Sequence, residues 1–323
     1  MATSAPPLVA DIGGTHVRFA RLDRAGQLFD RASFRCREFP SPVEAVRAYL
    51  AAASPGPAPE RAAFAVAGPV EGDQVSLTNN PWSFSLAATR QALGLAELFA
   101  GNDFEALALG LPGLAAEDTE IWQQGCAVAG TPLAVLGPGT GLGVGAVVPT
   151  PGGWTALATE GGHRDLAATT AREWAVVEKL SQRGPVAAEA VLSGPGLGRL
   201  HQALAELAGR VPEPELGAAA VVERAQAGDP LAAEAVALFC GWLGAVAGDL
   251  ALTLGARGGL FLGGGVIARL GALFHRALFL ERFAAKGRFR PYLAAIPVAA
   301  LRDPEGVTLA GAARWLVSRS APP

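Results

Sequence analysis

At 323 residues, half of them apolar, 41 of them glycine and 24 proline, the chain is long enough for one large domain or two and reads as compact and loop-rich. A formal net charge of −3 gives no electrostatic case for nucleic acid or an anionic membrane surface. Its only lysines, Lys179 and Lys286, do not follow a glycine, which excludes a Walker-type phosphate loop.

The first ten residues lack a basic region followed by an apolar one, so no signal peptide is expected. Residues 8–15 read as an apolar strand ending in Asp11-Ile12-Gly13-Gly14-Thr15, and 17–22 resumes as a second strand. Strand, glycine turn, strand differs from the strand–loop–helix of dinucleotide folds, where a helix dipole holds the pyrophosphate. Here the paired glycines let backbone N–H groups approach a phosphate, Thr15 adds a hydroxyl, and Asp11 is placed to hold Mg²⁺ through water. An ordinary hairpin with a polar turn is the competing reading. Residues 29–34 offer a third strand and 41–53 a helix. A proline-rich surface loop at 54–59 precedes strands at 62–67 and 74–78. A polar-aromatic loop, 79–84, follows, whose amides and indole suit a sugar site or a plain loop.

A strand at 95–100 and a helix at 104–111 meet at Gly101-Asn102-Asp103-Phe104-Glu105. Such a corner holds a carboxylate at the carboxyl edge of a sheet, where ligands bind in open α/β folds. Asn102, with Glu105 three residues on, also reads as a helix N-cap.

The second half begins near residue 112. A buried strand at 133–136 leads into Gly137-Pro138-Gly139-Thr140-Gly141-Leu142-Gly143, and 144–148 is again a strand. The first glycine turn is thus repeated in form, as though phosphates were gripped twice. Valine at Gly139 or Gly141 is expected to block the phosphate and spare sugar affinity. A third turn, Gly263-Gly264-Gly265, follows the strand 259–262. Helices are predicted at 171–182, 194–207, 218–227 and 231–254, the last with small residues (Gly241, Gly244, Ala247, Gly248) spaced for close packing. Its uncharged run, 235–248, is too short to span a bilayer. Cys36, Cys126 and Cys240 form no Cys-x-x-Cys pair and read as reduced structural cysteines of a cytoplasmic protein.

Thr159-Glu160-Gly161-Gly162-His163 has the Glu-x-x-His spacing of a helical metal motif. Its two glycines make a helix improbable and no second such motif exists. A loop presenting a carboxylate and an imidazole suits vicinal hydroxyls, since Glu160 accepts while His163 both donates and accepts. Glu189, ahead of Leu192-Ser193-Gly194-Pro195-Gly196, offers a further acceptor, or is an exposed helix residue.

Taken in order, Asp11 to Thr15, Thr78 to Trp82, Asn102 to Phe104, Gly137 to Gly143, Glu160 to His163, Glu189 with Leu192 to Leu197, Gly263 to Gly265 and Lys286 to Phe289 resemble the bacterial ATP-dependent glucokinases of the zinc-free group, in the hexokinase–actin–Hsp70 superfamily. The resemblance covers nearly the whole chain. It implies an α/β, two-lobed ribonuclease-H-like (actin/hexokinase) fold with the active site in the interlobe cleft. Residues 1–110, completed by a C-terminal helix at 305–323, would form the small lobe and 111–304 the large one.

The same resemblance implies that Asp103 is the general base for the 6-hydroxyl of glucose. Asn79, Asn102, Asp103, Glu160, His163 and Glu189 would bind the sugar. Gly13, Gly14, Thr15, Gly139, Thr140 and Gly141 would hold the phosphates of ATP, with Asp11 near Mg²⁺ and Gly264 and Gly265 bordering the adenosine. His16 stands where relatives tend to carry Asn. Phosphoryl transfer through a loose transition state asks for positioning more than for a strong base, and an ordinary aspartate is ionised at pH 7. The expected protein is a cytoplasmic glucokinase, a homodimer with no nucleic-acid or membrane partner and no structural zinc. A kinase for fructose, mannose or an N-acetylated sugar, a non-catalytic sugar sensor, and an ATPase acting on protein clients are the alternatives.

Overall fold

The computed structural model describes residues 5–77, 80, 82–182, 184–211 and 216–318. The chain divides into two compact units, one of Met1–Asp118, Thr150–Ala158 and Asp303–Pro323, the other of Thr119–Pro149 and Thr159–Arg302. Compared with the boundary expected near residue 110, the first unit runs on to Asp118. It also takes in Thr150–Ala158, because the strand Gly153–Leu157 packs against the helix Asp103–Gly110.

In the first unit β1 (Leu8–Ile12), β2 (His16–Leu22), β3 (Leu28–Arg35), β4 (Arg61–Val66) and β8 (Glu97–Asn102) form one sheet in the order β3-β2-β1-β4-β8. Short strands β5 (Val70–Glu71), β6 (Gln74–Ser76) and β7 (Ser83–Ser85) make a separate sheet. β1 and β2 are antiparallel, as a short glycine turn requires, whereas β1, β4 and β8 are parallel. All five residues of β1 are buried, which is why, Asp11 apart, it reads as an apolar run. Trp82 is 3 % exposed and its indole N–H donates to the Phe39 carbonyl at 3.0 Å, so this ring belongs to the core rather than to a sugar platform.

The helix Pro304–Ser318 returns to pack on Asp103–Gly110. The approach is backbone to backbone: a Cβ at Gly311 would overlap the Ala106 carbonyl oxygen, and one at Gly110 that of Val307. Trp315 lies edge-on to Phe99 with centroids 4.8 Å apart, and covers Gly101 so closely that a Cβ there would be 2.8 Å from its ring.

In the second unit β9 (Thr119–Gln123), β10 (Leu133–Pro138), β11 (Leu142–Thr150), β13 (Gly259–Leu262) and β14 (Val298–Leu301) run in the order β11-β10-β13-β14-β9, with β12 being the Gly153–Leu157 strand of the first unit. Again an antiparallel pair, β10–β11, flanks parallel neighbours, β10–β13–β14. The helix Pro230–Leu254 is long and apolar enough to cross a membrane, longer than its uncharged run suggests, but 72 % of its most apolar stretch is buried inside the protein. The helix Arg276–Ala284 crosses it at Gly244, where a Cβ would overlap the Phe279 carbonyl.

Candidate active site

In the first unit the sheet register sets the site. Ile12 pairs with Val66 and Val66 with Asn102, so the glycine turn after β1 and the Asn102-Asp103 corner share one sheet edge. They stand two strands apart, about 10 Å. Asn102 is the N-cap of Asp103–Gly110, its Oδ1 accepting from the N–H groups of Phe104 at 2.8 Å and Glu105 at 3.2 Å. Capping and carboxylate roles therefore fall on different residues, and Asp103 occupies the first helical position, where its Oδ1 accepts from Phe104 N–H at 2.9 Å.

Each glycine turn uses its first N–H on itself. Gly13 N–H donates to the His16 carbonyl at 2.9 Å, and Gly139 N–H to the Gly141 carbonyl at 2.8 Å. Among the described residues, the N–H groups of Gly14, Thr15, Thr140 and Gly141 have no partner within the chain. Gly13 and Gly139 thus shape the turns, and the two residues after each carry the available donors. Asn80 Nδ2 donates to the Gly13 carbonyl at 3.1 Å and steadies the first turn. Asn79 lies outside the described residues.

Asp11 is buried at the end of β1, with Nη1 of Arg18 3.1 Å from its Oδ2. Arg18 also reaches Glu305 at 3.1 Å. Burial pushes the Asp11 carboxyl up to about 6, against the pull of the guanidinium. Sequence reasoning does not single out Arg18, although a signal for it exists: the hairpin register places it directly opposite Asp11.

In the second unit three predicted residues converge. Glu160, Gly161, Gly162 and His163 form a tight turn, a short 3₁₀ helix over Gly161–His163. Both glycines are needed by close approach, since a Cβ at Gly162 would overlap the Leu142 carbonyl oxygen and one at Gly161 would crowd Val144. His163 Nε2 lies 4.0 Å from Glu160 and 3.9 Å from Glu189. Glu160 and His163 are 80 % and 61 % exposed at the side chain, open to a ligand. Glu189, on the one-turn helix Ala188–Val191, is no exposed helix residue: its Oε2 accepts the Leu142 N–H at 2.8 Å, at the exit of the Gly139–Gly141 turn.

Gly194 N–H donates to the Gly139 carbonyl at 2.8 Å, fixing that turn to the helix Gly194–Leu207. Next to it is a cavity of about 460 Å³ lined among others by Gly194, Gly198, Gln202, Ala218 and Arg269. Gly264, at φ 92°, and Gly265 start the short helix that carries Arg269, and a Cβ at Gly264 would overlap the Pro138 carbonyl region.

A family model described as glucokinase matches residues 8–319. A glucokinase of Paramagnetospirillum magneticum is 48 % identical over 303 residues, 92 % of this chain and 93 % of its own length. The crystal structure of a glucokinase from an Antarctic psychrotroph is 38 % identical, with a TM-score of 0.85 over 97 % of this chain and 99 % of its own. A ROK family glucokinase of Streptomyces griseus, solved with glucose and AMPPNP, is 24 % identical and shares the fold at a TM-score of 0.65, over 96 % of this chain and 98 % of its own. The chain has the α/β fold of the actin/hexokinase class.

Proposed function

Because this chain belongs to the glucokinase family, we propose that it transfers the γ-phosphoryl group of ATP to the 6-hydroxyl of glucose, the entry step of glycolysis, in the cytoplasm. The observation that carries the reading is the Asn102-Asp103 corner. Its cap is supplied by Asn102, and it shares a sheet edge with the Gly13–Thr15 turn. Asp103 orients the 6-hydroxyl and accepts its proton late, as suits a loose transition state. Asn102 still has its amide N–H₂ for the sugar, because its cap uses only Oδ1.

Glu160, His163 and Glu189 bind the other hydroxyls, with Asn79 as a further sugar ligand. The free N–H groups of Gly14, Thr15, Thr140 and Gly141 hold the phosphates. The nucleoside sits in the cavity beside Gly194 and Arg269, bordered by the Gly264-Gly265 turn. No cluster of three metal-ligating side chains occurs among the described residues, and Asp11 already faces Arg18. Asp11 would be the residue that holds a metal ion, through water, with the nucleotide phosphates supplying its other ligands. Such an ion, Mg²⁺, supplies charge neutralisation on the phosphoryl oxygens when bound. The resemblance also favours a homodimer.

A coupled assay of the purified protein over a hexose panel with ATP and Mg²⁺ tests the reading. Glucose turnover well above fructose, mannose and N-acetylglucosamine is expected, and turnover of none of them overturns it. Sedimentation equilibrium at working concentration tests the dimer.

A further inference from the structure

Lys286 opens the Lys286-Gly287-Arg288-Phe289 stretch, which has no place in the chemistry above. Its Nζ lies 2.6 Å from Oδ1 of Asp249. The other oxygen of Asp249 accepts from Nη1 and Nη2 of Arg164, each at 3.4 Å. Arg164 directly follows His163, and its carbonyl accepts the N–H of Ala188 at 2.8 Å, one residue before Glu189. Leu166 N–H to the Val186 carbonyl at 2.9 Å, with the bridge between Asp165 and Ala187, extends the same pairing. The main chain at Arg164 therefore links two proposed sugar ligands, while its side chain is tied to the helix Pro230–Leu254.

That helix is a firm base. Trp242, Leu243 and Ala247 on it are fully buried. At Gly248 a Cβ would overlap the Phe283 carbonyl and stand 3.0 Å from Cε of Lys286. Glycine at 248 thus lets the lysine stem lie along the helix and reach the carboxylate of the next residue. One carboxylate faces two cations, and Lys286 is only 19 % exposed at its side chain.

We propose that Asp249, oriented by Lys286, is a positioning residue for sugar recognition, setting the spacing of His163 and Glu189 through Arg164. The inference rests on the reading of those two residues as sugar ligands. It acts on neither nucleotide binding nor the chemical step.

Steady-state constants for both substrates test it, in Asp249→Asn, Lys286→Met, Lys286→Arg and, as reference, His163→Ala. Asp249→Asn and Lys286→Met are expected to raise KM for glucose about three- to tenfold, with KM for ATP and kcat within about twofold. Lys286→Arg should keep the wild-type KM. Asp249→Asn added to Arg164→Met should do no further harm, because both act along one path. A parallel rise in KM for ATP, a fall in kcat alone, or an unchanged KM for glucose beside a raised one in His163→Ala overturns the proposal. An unchanged KM in His163→Ala removes the sugar reading itself and this inference with it. Should Asp249→Asn not fold, Lys286→Met carries the same outcomes.

Discussion

The N–H of Leu142 is held by the carboxylate of Glu189 at 2.8 Å, while the carbonyl of the same leucine lies under Gly162. One residue at the exit of the second glycine turn thus connects that turn to the Glu160–His163 loop. This changes what the two turn glycines do. At Gly139 a side chain would meet nothing within 4 Å, whereas at Gly141 it would collide with the Glu189 carboxylate.

Gly139→Val is therefore expected to raise KM for ATP by filling the space a phosphate needs, and to leave glucose binding nearly intact. Gly141→Val should displace Glu189 and weaken both substrates, contrary to the equivalence expected from the repeated turn. Calorimetric titration with glucose and, separately, with a non-hydrolysable ATP analogue distinguishes them. Equal loss of glucose affinity in both variants contradicts the assignment.

Asp103→Asn removes the proposed proton acceptor and leaves the cap on Asn102 in place. It should fold normally and bind glucose, with kcat lower by about 10²–10⁴. Asn102→Ala, in contrast, should lose about 1 kcal/mol of stability with the cap. Activity above about a tenth of wild type in folded Asp103→Asn rules out the base role, being outside the range for lost general-base catalysis.

Glu160→Gln and His163→Ala should each raise KM for glucose, since hydrogen bonds to charged groups contribute about 1.5–3 kcal/mol. Both side chains are well exposed, so thermal stability should hardly change. Unchanged glucose kinetics in both variants would take the loop out of the site.

The raised pKa of Asp11, about 6 against an ordinary 3.8, has a definite sign. The folded protein holds this proton more tightly than the unfolded chain. The stability linked to it is full below the unfolded value of 3.8 and is lost as pH rises through about 6. Asp11→Asn mimics the neutral acid at every pH. It should stabilise the ligand-free protein at pH 8 by on the order of 1–3 kcal/mol, less near pH 4.5, while impairing ATP use. Denaturant unfolding at the two pH values measures this, and an equal effect at both contradicts it.

Much of the architecture is legible in the amino-acid sequence. The two strand–turn–strand units show because their turns are short and their strands are buried on both faces, as in β1 and β10. Helices starting at Ala171, Gly194 and Ala218 are predicted at those residues, and Thr170 and Ser193 cap the first two. The strands Thr119–Gln123 and Val298–Leu301 do not show, because they are short and find partners only across long sequence separations. The corner strand lies two residues later than its apolar pattern suggests, at Glu97–Asn102, since its pairing with β4 rather than its own pattern fixes its end. At the site, the residue types are readable in Glu160, His163 and Glu189. The hydrogen bond of Glu189 to Leu142 and the anchoring of Arg164 on Asp249 are not, being products of packing between distant segments.

The helix Pro304–Ser318 imposes an order of events on synthesis. Gly110 and Gly311 let it seat directly on the backbone of the helix that begins with Asp103. Until residues beyond 303 have been made, that helix lacks its covering layer, and the cradle around Trp315 and Phe99 is open. At a translation rate of about 5–20 residues per second, the wait amounts to roughly ten seconds or more. The second unit, whose segments end at Arg302, is complete in sequence before the first. The half carrying Asp103 thus closes only after every segment of the second unit has been made.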